Sequence, residues 1–90
     1  MVSMFTSLEK MLSRKKNYEA VFNTPVGKEV LRDLMEFAKF LEPTYVPGDP
    51  TTSAYNEGMR RIILRIVSIL NKDPRKQFEM INELIRENNE

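Results

Sequence analysis

The sequence predicts an all-α fold, a small irregular or orthogonal bundle of three main helices plus a short C-terminal one. Three observations carry this. A capping residue is followed by proline at Thr24-Pro25, Asp49-Pro50 and Asp73-Pro74; the side-chain oxygen can satisfy an orphan amide of the first turn, and proline at the first helical position loses no hydrogen bond. After each start, apolar residues recur at three- and four-residue spacing, the period of a helix with one buried face. Only Asn71, Lys72 and Asp73 separate the last two segments, so these helices are expected to form an antiparallel or steeply crossed pair.

The first helix is expected from residue 4 to about 16, with Ser3 as N-cap and Met4, Phe5, Leu8, Met11 and Leu12 at helical spacing. Its end is placed in Ser13-Arg14-Lys15-Lys16-Asn17, whose cations suit the negative end of the helix dipole. Tyr18 to Phe22 reads as a further turn that inserts Tyr18, Val21 and Phe22 into the core. In the second helix, Val30, Leu31, Leu34, Phe37, Ala38, Phe40 and Leu41 share one broad face with Met35 at its edge. Lys28, Arg32 and Lys39 lie along one side of the remaining circumference and Glu29, Asp33 and Glu36 along the other. This helix is expected to stop at Glu42, because Pro43 disfavours helical geometry in the residue before it.

The loop Pro43 to Pro50 holds a Pro-Gly-Asp turn signal, and Tyr45 and Val46 are expected to pin it to the core. The third helix is expected to run from Pro50 to about Asn71. Its main apolar face is Ala54, Tyr55, Met59, Ile62, Ile63, Ile66, Val67, Ile69 and Leu70, with Leu64 off that face. A helix apolar over more than half its circumference is either central or partly covered by another chain. The fourth presents Phe78, Ile81, Leu84 and Ile85, with Met80 beside them, and frays into the acidic tail Glu87-Asn88-Asn89-Glu90. No repeat or linker divides the chain, so residues 1–90 read as one domain.

Composition narrows the function classes. At 90 residues the core is thin; a domain of this size buries only about 60 to 65% of the surface its unfolded chain exposes, so marginal stability or a partner is expected. There is no cysteine and no histidine, which removes disulfides, thiolate metal sites, the usual general base and the usual pH switch together. No enzyme and no cofactor is expected. The N-terminus lacks the pattern of a signal peptide and no apolar run approaches membrane-spanning length; an intracellular, soluble protein is the expectation. Net charge is +1, but residues 1–16 and 49–76 are basic while 17–48 and 77–90 are acidic. Blocks of alternating sign suit pairing between helices or copies of the chain better than one basic face aimed at nucleic acid.

The densest cationic region is Arg60, Arg61, Arg65, Lys72, Arg75 and Lys76, with Arg61, Arg65 and Lys72 in one row away from the core. Its plain reading is a solvated face with Glu57 paired to Arg61 at i, i+4; its functional readings are an acidic protein partner or phosphate. A helix-turn-helix would put Pro74 to Arg86 in a major groove, but Glu79, Glu83, Glu87 and Glu90 on that helix would repel the backbone. The first helix either packs on the core or docks in a partner's groove or on a membrane surface. Glu29, Asp33 and Glu36 have no loop to complete a metal shell. Gly58 inside a helix costs about 1 kcal/mol relative to alanine, and close approach of another helix backbone is the simplest reason to accept that.

The pattern Tyr18-xx-Val21-Phe22-xx-Pro25-x-Gly27-xx-Val30-Leu31-xx-Leu34, then Gly48-Asp49-Pro50 and Ala54-Tyr55-Asn56-Glu57-Gly58-x-Arg60-Arg61-xx-Leu64-x-Ile66, resembles the Bbp-like phage domain family. The resemblance covers about residues 18–70 and leaves out the first helix and everything from Asn71. It implies a phage origin and a role in building the particle, with the host cytoplasm during infection, and then the virion, as the setting. It brings no catalytic residues. Pro25, Pro50, Gly27 and the apolar motif positions have structural readings; Arg60 and Arg61 have the weakest ones.

The sequence therefore points to a non-enzymatic helical module that binds protein chains, a phage structural protein or a second copy, during virion assembly. Its expected contact residues are Gly58, Arg60, Arg61, Leu64 and Arg65. A nucleic-acid-binding regulator and a small inhibitor of a host enzyme are the alternatives.

Overall fold

A computed structural model describes residues 4–88, and side chains for 7–86. Four helices follow one another: α1 (Met4–Phe22), α2 (Pro25–Phe37), α3 (Pro50–Leu70) and α4 (Pro74–Asn88). The all-α expectation holds. α1 packs against α2 and α3, and α4 packs against α2. The core is built from Leu31 and Met35 of α2, Phe40 just after it, Ile63, Ile66, Val67 and Leu70 of α3, and Leu84 of α4. Tyr18, Phe22, Ala38, Met80 and Ile81 close around it.

All three cap-plus-proline starts form as the local chemistry demands. The Thr24 Oγ1 accepts from the Gly27 amide at 3.0 Å and donates to the Val21 carbonyl at 3.1 Å, tying the end of α1 to the start of α2. The Asp49 carboxylate accepts from the Thr52 amide at 3.0 Å and the Thr52 hydroxyl at 2.6 Å. The Asp73 carboxylate accepts from the Arg75 amide at 3.0 Å. Ser3 and the tail beyond Arg86 lie outside the described side chains.

Several expectations are corrected. α1 does not end near residue 16: it is one helix to Phe22, because Ser13 to Asn17 contains neither glycine nor proline and its lysines and arginine are good helix formers. Val21 points outward, while the Tyr18 and Phe22 rings pack tilted against each other with centroids 5.9 Å apart. α2 stops five residues before Glu42, and the stop is not made by Pro43. Lys39 adopts a left-handed conformation at φ 52°; the Phe40 amide reaches back to the Met35 carbonyl at 3.0 Å and the Lys39 amide to the Glu36 carbonyl at 3.1 Å. This is a Schellman ending, with the apolar contact between the residues it brings together. Both of those, Met35 and Phe40, are buried.

That ending decides which part of α2 is inside. Met35, expected at the edge, is central; Val30, Leu34, Phe37 and Leu41, expected in the core, are exposed. Tyr45 is exposed too and Val46 alone of that pair is half-buried. In α4, Phe78 lies outside and Leu84 is the buried anchor. α4 finds its partner in α2, where the short connection suggested α3.

Gly27 is indispensable to the α1–α2 turn. A Cβ there would lie 1.7 Å from the Val21 carbonyl oxygen and 2.8 Å from the Phe22 Cα, so any side chain would force two helices apart. Close packing at this motif position is what the sequence suggested.

The molecule is open for its mass. Its radius of gyration is 15.4 Å, against about 12 Å for a compact domain of this length. Its accessible surface is 7136 Å², where about 5,500 Å² is the norm for a folded monomer of this size.

Candidate functional site

The second motif, Asn56-Glu57-Gly58-x-Arg60-Arg61, lies in the middle of α3, and helical geometry sends its residues to opposite sides. Ser53, Asn56 and Arg60, at spacings of three and four, form one polar row facing the α2–α3 loop. Ser53 Oγ accepts from the Val46 amide at 2.7 Å and donates to the Asp49 carbonyl at 2.9 Å. Asn56 Nδ2 donates to the Thr44 carbonyl at 3.2 Å. Arg60 Nη1 donates to the Phe40 carbonyl at 2.7 Å, and its guanidinium carbon sits 4.6 Å above the centre of the Phe40 ring. The loop's backbone groups are thus satisfied by α3 side chains, and the charge on Arg60 is engaged by an aromatic face.

Arg60 therefore has a complete role inside the chain. Sequence reasoning missed it because Phe40 is twenty residues away, and missed Ser53 and Asn56 because their partners are loop carbonyls that no local pattern identifies. Glu57, Gly58 and Arg61 turn the other way and are exposed, as is Arg65 one turn on. The Glu57–Arg61 pair does not form, and neither the Arg61 nor the Arg65 guanidinium is engaged by another described residue. Leu64 lies around the helix from Gly58 and is partly exposed, so it does not join that group.

Nothing among the described residues explains Gly58. A Cβ added there meets no atom within 4 Å, so the expected close approach of a neighbouring helix is absent from this protomer. Around the glycine run Tyr55 and Ile62, 65% and 61% exposed. With Gly58 they make an apolar stripe at i, i+3, i+7, with Arg61 and Arg65 along its outer edge.

Shallow grooves lie elsewhere among the described residues. One runs between the end of α2 and α4, lined by Met35, Lys39, Phe40, Leu84 and Ile85 among others, a second lies between Leu31, Leu70 and Met80, and a third runs along α1 beside Glu9, Leu12, Ser13 and Glu19. Among the described residues no group of acidic side chains is placed to hold a metal, Glu29, Asp33 and Glu36 included. No described helix is long and apolar enough to cross a membrane.

The fold is that of a small all-α protein, with Gly58 and Arg61 of the second motif on an exposed helix face. The chain belongs to the Bbp19-like phage proteins, whose family model matches residues 18–82. The match begins at Tyr18, where the motif resemblance begins, and runs past Asn71 to residue 82, so it takes in the first part of α4 but not its buried Leu84. No curated protein and no solved structure matches the chain.

Proposed function

We propose that this phage protein is a non-enzymatic interaction module that joins protein chains during virion assembly, working in the host cytoplasm during infection and entering the particle with its partner. The observation that carries the reading is the outward half of the second motif. Gly58, Arg61 and Arg65 have no role in holding the fold, yet they stand together with Tyr55 and Ile62 on one exposed face. An apolar centre edged by arginines is the composition of a protein-binding surface, where aromatic residues and arginine dominate. The absence of histidine and cysteine from the sequence supports a role other than catalysis.

A photo-cross-linking residue at position 61, introduced into the protein during infection, tests this. Cross-links to a phage structural protein or to the protein itself in assembling particles are the expected result. Cross-links confined to nucleic acid would favour the regulator reading, which the free guanidinium groups of Arg61 and Arg65 keep open. That reading requires loss of DNA affinity in the Arg61→Ala, Arg65→Ala double variant and a steep salt dependence.

A further inference from the structure

α2 carries a second unpartnered face that mirrors the one on α3. Val30, Asp33 and Phe37 stand at i, i+3, i+7, the spacing of Tyr55, Gly58 and Ile62, and Val26 extends the row. Val26 and Phe37 are 71% and 72% exposed and Val30 is also exposed. The α2 stripe is acidic on one side, with Glu29 and Glu36 exposed along its edge and Asp33 exposed on its border; the same edge of the α3 stripe is basic, with Arg61 and Arg65 exposed.

From the positions of these residues in the sequence and 100° per residue, we infer that the outer face of α2 in one copy receives the outer face of α3 from a second copy, the two helices antiparallel. The inference names the partner for the surface assigned above and rests on that reading. Direction follows from handedness. On each helix the core lies to the same rotational side of the stripe and the charges to the other. Antiparallel packing therefore aligns Arg61 and Arg65 along the same edge as Glu29, Asp33 and Glu36, whereas parallel packing would put them on opposite edges. Pairing α2 with α2 would set these carboxylates against their own copies, and pairing α3 with α3 would oppose arginines, so charge selects the mixed contact. Gly58 then faces the α2 backbone and the residues around Asp33, where the missing side chain permits a close crossing.

Making the contact twice about a two-fold axis closes a dimer.

Analytical ultracentrifugation of the full chain across a concentration series is the test. A reversible dimer is expected, and Phe37→Asp and Ile62→Asp should each weaken it by roughly thirtyfold or more, the loss of one central anchor. Both positions are exposed, and circular dichroism checks that each variant keeps its helices. The Arg61→Glu, Arg65→Glu variant should be monomeric, and adding Glu29→Lys and Glu36→Lys to it should restore the dimer. A strict monomer, or an oligomer indifferent to these changes, overturns the inference. A monomer that still cross-links through position 61 to another virion protein overturns the second copy as partner and leaves the assembly reading standing. A dimer with no place in assembling particles does the reverse.

Discussion

Replacing Gly58 with alanine separates folding from function more cleanly than any other single change in this chain. Position 58 is well inside α3, and the new methyl meets nothing within 4 Å. The fold loses no contact and gains helix propensity, about 0.8 to 1 kcal/mol in favour of the folded state. For a domain of this length that corresponds to a melting temperature higher by roughly 4 to 8 °C. The measurement is thermal and urea unfolding followed by circular dichroism, in a Phe37→Asp background so that self-association does not add its own concentration-dependent stability. The urea midpoint should rise with the slope unchanged.

The same methyl should weaken partner binding, since it occupies the space through which another helix is expected to approach. A variant that is more stable as a monomer and poorer at association is the specific outcome. Destabilisation by Gly58→Ala would show that the site is crowded or strained within the chain, and the argument for an unfilled notch would collapse. Stabilisation with undiminished association would remove Gly58 from the contact.

The remaining predictions concern the frame that presents this face. Gly27→Ala should cost about 3 kcal/mol or more, because the added carbon collides with backbone atoms that cannot move independently; loss of cooperative unfolding is the readout. Lys39→Gly should stabilise by about 1 kcal/mol, since the left-handed backbone at φ 52° burdens lysine and suits glycine; an unchanged or lower urea midpoint would refute it. Arg60→Ala should cost about 1 to 3 kcal/mol by leaving the Phe40 carbonyl without its donor, and Arg60→Lys should recover only part, as lysine cannot combine that bond with a planar stack. The Asp49 carboxyl is held below its ordinary value first by the Thr52 hydroxyl and then by the Thr52 amide. Its folded-state value being the lower one, its contribution is present above the unfolded carboxylate range, near pH 4, and is lost as pH falls through the folded value. Asp49→Asn keeps a capping oxygen and should flatten that part of the melting temperature's acid dependence.

What the sequence discloses here is what short-range chemistry decides. The three capped prolines, the Gly27 turn and the apolar row Ile63, Ile66, Val67 and Leu70 are readable because each involves neighbours within one or two turns. The orientation of α2 is not. Its apolar arc, from Val26 through Leu34 to Met35, is wider than the surface it buries, and periodicity cannot say which half faces inward. The choice is made by Lys39, a residue with no preference for the left-handed conformation it adopts, so no glycine or asparagine advertises the helix end. From that turn Phe40 enters the core, and Arg60 finds both a carbonyl and a ring that sequence spacing places far away.

The same chain of events links fold to function. Because α2 ends at Phe37 and turns at Lys39, Phe40 takes the buried place and Phe37 is left outside on the Val26–Val30 row. Because Arg60, Asn56 and Ser53 are turned to hold the loop, Gly58, Arg61 and Ile62 are turned away from it, on a rigid helix rather than a mobile segment. One half of the second motif is thus the fastening that fixes the direction of the other half. Arg60 and Arg61 are adjacent in sequence and alike in chemistry, yet they should fail differently. Loss of Arg60 should lower stability and blur both exposed faces together, whereas loss of Arg61 in the Phe37→Asp background should leave the unfolding free energy within about 0.5 kcal/mol of the parent, its effect falling on association alone. Equal effects of the two on stability would mean that Arg61 is also committed to the fold, and the outward half of the motif would lose its claim to a partner.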